Sequence, residues 1–193
     1  MKFSLIVILL SLLNNSNLLI NNQVKSYLDK LETNFDEILF VSIDNQKIYH
    51  LKEQKIISTY LISSSKYGIG NRSGSNKTPK GLHFIKKKIG DKTPINGKMI
   101  GRIFTGEIAE IFKDKTISDT DDITSRILWL SGLENGVNKG KNIDSFKRYI
   151  YIHGTSEEGR LGIPSSHGCI RMKNKDVIDL YMKVEVGTLV LIL

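Results

Sequence analysis

The stretch YIYIHGTSEEGRLGIPSSHGCIRM, residues 149–172, decides how the chain is expected to fold around its candidate reactive groups. Its first residues alternate, with Ile150 and Ile152 on one side of an extended strand and two tyrosines and His153 on the other. If the isoleucine side is core, His153 points into a cleft or into solvent. The loop that follows contains two glycines and a proline, so it can turn back and bring Cys169 beside His153.

The remaining sequence predicts a mainly β fold, a β-sandwich or half-barrel with one or two short helices. Short apolar runs separated by turn residues follow one another from residue 38 onward, without the regular strand–helix alternation of a doubly wound sheet. A late helix is predicted to begin with Asn174 as its N-cap. Its apolar face consists of Val177, Leu180, Tyr181 and Val184. The stretches 107–125 and 131–146 show no periodicity and are expected to form rims or lids.

Three segments are predicted along the 193 residues. Residues 1–20 begin with a lysine and an apolar run, residues 3–13, which is typical of a signal peptide or an N-terminal membrane anchor. The alternative is an apolar first helix or strand of the domain itself. Residues 21–35 have helical spacing and are expected to form a spacer helix. Residues 36–193 form the main domain, and the protein is expected to be exported to the periplasm or cell envelope.

Cys169 is the only cysteine in the sequence, so it cannot form a disulfide within the chain. In an exported protein, a lone thiol is either a small buried apolar group or a reactive group that must stay unpaired. The net charge of +8, from 28 basic and 20 acidic residues, predicts attraction to anionic surfaces. The basic run at residues 86–88 has no interleaved aromatic residues, so nucleic acid is not expected as a partner.

His153 and Cys169 are the candidate general base and nucleophile, since an imidazole that takes the thiol proton leaves a reactive thiolate. Fast alkylation of Cys169 at neutral pH is then expected. The backbone N–H groups of His167, Gly168 and Cys169 form a candidate oxyanion hole in the turn before the nucleophile. Arg171 can pair with a substrate carboxylate or with an internal acid. Zinc binding by the histidines and the thiol is the alternative, but the spacing lacks zinc-site patterns, so no metal and no cofactor are expected.

Two features receive structural interpretations. The glycine- and serine-rich stretch 64–77 lacks the lysine placement of a phosphate-binding loop and is interpreted as a flexible turn. His50 and His83 have no chemically complementary residues near them in sequence, so we interpret both as structural. The sequence gives no indication of the oligomeric state.

Three motifs resemble those of one known family, the YkuD-type L,D-transpeptidases. They are HGT at residues 153–155, SHGCIRM at residues 166–172, and TPKGLHF at residues 78–84. The resemblance extends over roughly residues 36–193 and implies the family's β-rich catalytic domain. It also implies peptidoglycan stem peptides as partners, and the apolar N-terminal segment would then attach the chain to a membrane or direct its export.

The resemblance further implies that Cys169 forms a thioester with a tetrapeptide stem, releases D-Ala and passes the acyl group to an amine, as in a 3-3 cross-link. His153 would act as base and acid, and Ser166 would be one of the oxyanion- or substrate-binding residues, together with His167, Gly168 and Arg171. The Gly154 carbonyl would orient the imidazole, a role expected to tolerate any side chain. With water as acceptor, the enzyme would be an L,D-carboxypeptidase. A non-catalytic cell-wall-binding domain with an inert Cys169 is the alternative from another class.

Overall fold

The computed structural model describes residues 17–193, so the apolar run at residues 3–13 lies outside the described residues. The described part contains ten strands and two α-helices. The strands are β1 (Glu37–Ser42), β2 (Lys47–Lys52), β3 (Lys55–Ser63), β4 (Gly81–Ile89), β5 (Gly97–Ile100), β6 (Ile103–Ile108), β7 (Ile123–Gly132), β8 (Tyr151–Gly154), β9 (Ile170–Met172) and β10 (Leu189–Ile192). The helices are α1, residues 17–29, and α2 (Asn174–Lys183).

Eight of the strands form a closed barrel. Neighbours hydrogen bond in the order β4-β10-β1-β2-β3-β9-β8-β7, and β7 also pairs with β4, which completes the ring. The β5–β6 hairpin extends from the edge of β7. The pairs β1–β10 and β8–β9 are parallel, and the other named pairs are antiparallel. The predicted mainly β fold is confirmed.

The main core of the barrel consists of the apolar face of α2 and alternate residues of all eight strands. The helix contributes the four residues predicted for its apolar face, all of which are buried: Val177, Leu180, Tyr181 and Val184. Its start differs from the prediction, because Lys173 is the N-cap and Asn174 is the first helical residue. Asn174 therefore does not cap the helix, and its side chain is free to enter a buried network beside β8.

Helix α1 packs on the outside of the barrel. Its buried face consists of Ile20, Val24 and Leu28, which join outward residues of β1, β2, β4 and β10 in a second core. The Tyr27 hydroxyl donates to the Glu134 carboxylate at 3.0 Å. The helix therefore differs from the spacer predicted at residues 21–35, since it occupies residues 17–29 and is packed against the domain. Within residues 17–193, no helix is long and apolar enough to cross a membrane.

The stretch 131–146 is mostly packed structure. The Glu134 carboxylate accepts the Leu82 N–H at 2.5 Å, and the Asn138 amide donates to the Lys80 and Leu82 carbonyls at 3.2 and 3.0 Å. These bonds connect the stretch to the start of β4. The stretch is therefore not the rim or lid that was expected from the sequence. Only Phe146, at its end, reaches the aromatic residues near Cys169.

Candidate active site

The parallel strands β8 and β9 bring the candidate catalytic residues to one face. His153 on β8 lies opposite Arg171 on β9, and Cys169 precedes Arg171 by two residues. Because paired residues of parallel strands point to the same side and side chains alternate along a strand, the three side chains share one face. The isoleucines between them lie in the barrel interior. His153 and Cys169 are therefore diagonal neighbours outside the barrel.

The Cys169 thiol is held between two backbone groups. Its Sγ donates to the Tyr149 carbonyl at 3.3 Å and accepts the Tyr151 N–H at 3.4 Å. Cys169 packs against the apolar cluster that contains Trp129, and part of the residue is accessible to solvent. Burial raises the pKa of Cys169 to about 12, and the Tyr151 N–H offsets only part of this effect. The thiol is therefore protonated in the free protein, which differs from the thiolate expected from the sequence.

We expect alkylation of Cys169 by iodoacetamide to accelerate about tenfold per pH unit between about pH 7 and 10, because only the thiolate reacts and its fraction grows tenfold per unit below the pKa. Mass spectrometry of the folded protein measures the rate. The urea-unfolded protein is the control. Its alkylation rate should level off as the pH passes the ordinary thiol pKa of about 8.5. A plateau below pH 9 in the folded protein would contradict the raised pKa.

The His153 imidazole has a defined tautomer. Its Nδ1 lies 2.7 Å from the Gly154 carbonyl, which can only accept, so Nδ1 carries the hydrogen and Nε2 keeps its lone pair. The side chain is buried, and this burial lowers the pKa of His153, while Asp121 and the Gly154 carbonyl act in the opposite direction. At neutral pH, His153 is thus neutral and able to accept a proton at Nε2.

Gly154 is required by close packing behind the imidazole. A β-carbon at this position would lie 2.6 Å from Asn174 Oδ1 and 2.7 Å from the Thr124 carbonyl. The Asn174 oxygen is fixed by the Thr124 and Ser125 hydroxyls at 2.7 and 2.6 Å, and its amide donates to the Thr155 carbonyl at 2.8 Å. The expectation that any side chain fits here is therefore wrong.

The turn before the nucleophile is closed by Ser166. This buried hydroxyl accepts the Gly168 N–H at 3.2 Å and donates to the Cys169 carbonyl at 2.5 Å. Gly168 has φ +127, a conformation that favours glycine. The Gly168 N–H is thus used inside the turn, whereas the N–H groups of His167 and Cys169 have no hydrogen-bond acceptor among residues 17–193. Two of the three predicted oxyanion donors are free.

Arg171 lies between two carboxylates. Its Nε and Nη2 donate to Asp121 Oδ1 at 2.9 and 2.6 Å, and its Nη1 donates to Glu157 Oε2 at 2.7 Å. Asp121 Oδ2 also lies 2.8 Å from Nδ1 of His167. Burial acts to raise the pKa of Asp121, but Arg171 and then His153 hold it below its usual range. Of the two partners that the sequence allowed, Arg171 has the internal acid. That acid, Asp121, belongs to the stretch 107–125, which therefore contacts the site.

The sequence placed two tyrosines on the His153 side of the strand, but it did not indicate that Trp129, Phe146 and Arg102 surround the thiol. The Trp129 ring stacks on Phe146 at 4.1 Å between centroids and meets the Tyr151 ring edge-on at 5.4 Å. The Arg102 guanidinium, from the β5–β6 turn, lies 4.9 Å from the Trp129 ring centre and 5.4 Å from that of Tyr149. These residues are far apart in sequence, so only the spacing of aromatic residues on β7 and β8 could have signalled the cluster.

Solved structures share this fold. An L,D-transpeptidase from Xylanimonas cellulosilytica superposes with a TM-score of 0.51 at 16% identity, over 89% of this chain and 69% of that one. The avibactam carbamoyl enzyme of Ldtfm gives a TM-score of 0.51 at 18% identity, over 83% of this chain and 49% of that one. At these identities, the likeness is one of fold.

Short segments of two curated relatives are similar to this chain. They are 46% identical over 41 residues for the probable L,D-transpeptidase YbiS of Escherichia coli K12, and 50% over 46 residues for the putative L,D-transpeptidase YkuD of Bacillus subtilis. The segments cover 21% and 24% of this chain, and 13% and 28% of those relatives. The sequence model of the YkuD family, the L,D-transpeptidase catalytic domain, matches residues 36–192. With this match over most of its length, the chain belongs to the L,D-transpeptidase family.

Proposed function

We propose that this protein is a peptidoglycan L,D-transpeptidase that forms a thioester between Cys169 and a tetrapeptide stem. The observation that carries the proposal is the shared face of β8 and β9, on which a thiol and a neutral imidazole of fixed tautomer are diagonal neighbours. The family supplies the reaction class, since its members act on stem peptides. The roles of the individual residues follow from their geometry and chemistry.

In the first half-reaction, the Cys169 sulfur attacks the carbonyl carbon at the L-centre of the third stem residue. The thiol proton passes to His153 Nε2 as the carbon–sulfur bond forms, because the thiol of the free protein is neutral. The carbonyl electrons move onto oxygen, where the free N–H groups of His167 and Cys169 can stabilise the charge. When the oxyanion collapses, the carbon–nitrogen bond breaks, and His153 returns the proton to the departing D-Ala nitrogen.

In the second half-reaction, an amine attacks the thioester carbon and loses a proton to His153. The new amide bond forms, the carbon–sulfur bond breaks, and His153 returns the proton to the Cys169 sulfur. With the amine of another stem's diamino acid, the product is a 3-3 cross-link. With water, it is a free tripeptide stem, the product of an L,D-carboxypeptidase.

One buried carboxylate near His153 favours its protonated form. Asp121 acts to raise the pKa of His153, whereas Arg171 acts to lower it. Glu157 is shared by two cations, since its Oε2 lies 2.7 Å from Arg171 Nη1 and 3.5 Å from Arg160 Nε. The imidazolium formed during acyl transfer is therefore favoured by the charge of Asp121. Asp121 acts here as a positioning residue, through its charge, and it contacts Arg171 and His167.

On this proposal, the protein works in the periplasm or cell envelope, where peptidoglycan is found. The apolar run at residues 3–13 would direct export or hold the chain at a membrane. The net charge of +8 would favour its association with an anionic envelope.

Incubation of the protein with a disaccharide-tetrapeptide, with and without an added amine, tests the proposal. Mass spectrometry should find released D-Ala and an acylated amine, and a Cys169→Ala variant should form neither. Tripeptide formation with no amine product would identify a carboxypeptidase. If D-Ala is never released while the protein still binds cell wall, the chain is the non-catalytic wall-binding domain.

A further inference from the structure

A polar cavity of about 250 Å³ adjoins the nucleophile. Asn76, Arg148, Tyr149 and His167 are among the residues that line it. The Tyr149 carbonyl accepts the Cys169 thiol hydrogen, and His167 belongs to the turn before the nucleophile. A group bound in the cavity would therefore lie beside the attacked carbonyl.

The Arg148 guanidinium is fixed at this cavity by the glycine-rich stretch 64–77. Its Nη1 donates to the Gly70 carbonyl at 3.1 Å, and its Nη2 donates to the Lys77 carbonyl at 2.6 Å. The Lys77 carbonyl oxygen lies 3.5 Å from where a β-carbon of Gly168 would be. The sequence suggested that the stretch 64–77 is a flexible turn. In the structure, this stretch holds the Arg148 side chain near the turn that precedes Cys169.

Arg148 differs from Arg171 in its charge balance. Arg171 faces two carboxylates, whereas Arg148 has no carboxylate within 4.0 Å among the described residues. Its two acceptors among the described residues are neutral carbonyls, which leave the positive charge uncompensated. Burial lowers the pKa of Arg148, yet a guanidinium remains charged at any physiological pH. A half-buried cation without a counter-ion, at the wall of an open polar cavity, is suited to an anionic ligand.

We propose that Arg148 binds the terminal carboxylate of the donor stem, the α-carboxylate of the D-amino acid that leaves. The inference rests on the proposed function. That carboxylate is separated from the scissile nitrogen by one carbon atom, so it must lie close to Cys169 when the sulfur attacks. A guanidinium can hold it through two parallel N–H bonds, which would fix the scissile bond and select stems that end in a free acid.

Two donor peptides test the proposal: a tetrapeptide stem ending in D-Ala, and the same stem ending in D-alaninamide. The wild-type protein should favour the acid by about 10- to 100-fold in kcat/KM, because a charge-assisted bond at a partly buried site is lost with the amide. Arg148→Gln should lower kcat/KM for the acid peptide to the value for the amide peptide, and it should leave kcat/KM for the amide peptide unchanged. The control is Arg126→Gln, which removes another arginine bonded to backbone carbonyls, Thr93 and Ser125, and should keep the preference.

A second measurement is independent of turnover. Iodoacetate is anionic and iodoacetamide is neutral, so the ratio of their reaction rates with Cys169 reports an anion site beside the sulfur. Relative to the unfolded protein, the folded wild type should favour iodoacetate by several-fold, and Arg148→Gln should abolish this preference. Arg148→Lys keeps a positive charge and should retain part of the preference for iodoacetate. It provides a second variant if Arg148→Gln does not fold.

The possible outcomes separate the two proposals. If the wild type releases D-Ala but accepts acid and amide equally, or if Arg148→Gln slows both alike, the carboxylate site is overturned and the transpeptidase proposal stands. If no peptide is turned over while the iodoacetate preference depends on Arg148, the anion site stands and the proposed reaction fails. Equal alkylation ratios in the wild type and Arg148→Gln would also overturn the site.

Discussion

Replacement of His153 by glutamine is expected to lower kcat/KM for release of D-Ala by about 10²- to 10⁴-fold, the contribution typical of a general acid–base group. Glutamine approximates the size of the imidazole but cannot accept and return a proton. Because the thiol pKa is raised to about 12, almost no thiolate exists at neutral pH without a base. Steady-state kinetics with the disaccharide-tetrapeptide measures the loss.

The matched control is His50→Gln. His50 is also a buried histidine on a strand, and its Nε2 contacts Glu37 at 2.5 Å, on β1 and β2 rather than at the site. Any cost to folding should be similar, so thermal unfolding of both variants separates stability from catalysis. If His153→Gln retains activity within a few-fold of the wild type while Cys169 stays essential, His153 is not the base.

Replacement of Arg171 by methionine is expected to reduce the free energy of unfolding by about 3–5 kcal/mol, the cost of removing one partner from a buried ion pair. Arg171 and Glu157 are 2% and 4% exposed. Without the guanidinium, Asp121 would lose its arginine partner, and the buried Glu157 would keep only the Arg160 contact at 3.5 Å. Urea unfolding at neutral pH, followed by circular dichroism, measures the change.

Two further variants make this result interpretable. Arg171→Met combined with Glu157→Gln should recover part of the lost stability, because one of the stranded charges is removed. Lys183→Met breaks an exposed ion pair with Asp179 and should cost below about 1 kcal/mol. A single Arg171→Met variant as stable as Lys183→Met would show that the network contributes little to folding.

The sequence was informative where structure is local. Alternation along residues 149–153 separated the core side of β8 from the side that carries His153, because strand geometry alone determines which residues share a face. The apolar face of α2 followed from helical spacing in the same way. The order of strands in the barrel could not be inferred from the sequence, because it depends on pairings between distant segments, such as β4 with β7.

Features that join distant segments could not be predicted. The sequence showed Asp121 only as part of the stretch 107–125, which has no periodicity, and its pairing with Arg171, 50 residues away, has no local pattern. Arg148 and the Gly70 carbonyl are 78 residues apart. The prediction for Gly154 was wrong for the same reason, because the atoms that exclude a β-carbon belong to β7 and α2. The raised pKa of Cys169 also depends on burial that only the folded chain creates.

In the proposed reaction, Cys169 carries the acyl group between donor and acceptor. Rapid acid quenching of the protein during turnover of a disaccharide-tetrapeptide, followed by intact-mass and peptide mass spectrometry, tests this role. We expect an adduct with the mass of the donor less D-Ala, confined to the peptide that contains Cys169 and absent from Cys169→Ala. Release of D-Ala by Cys169→Ala, or an adduct on another residue, would contradict it.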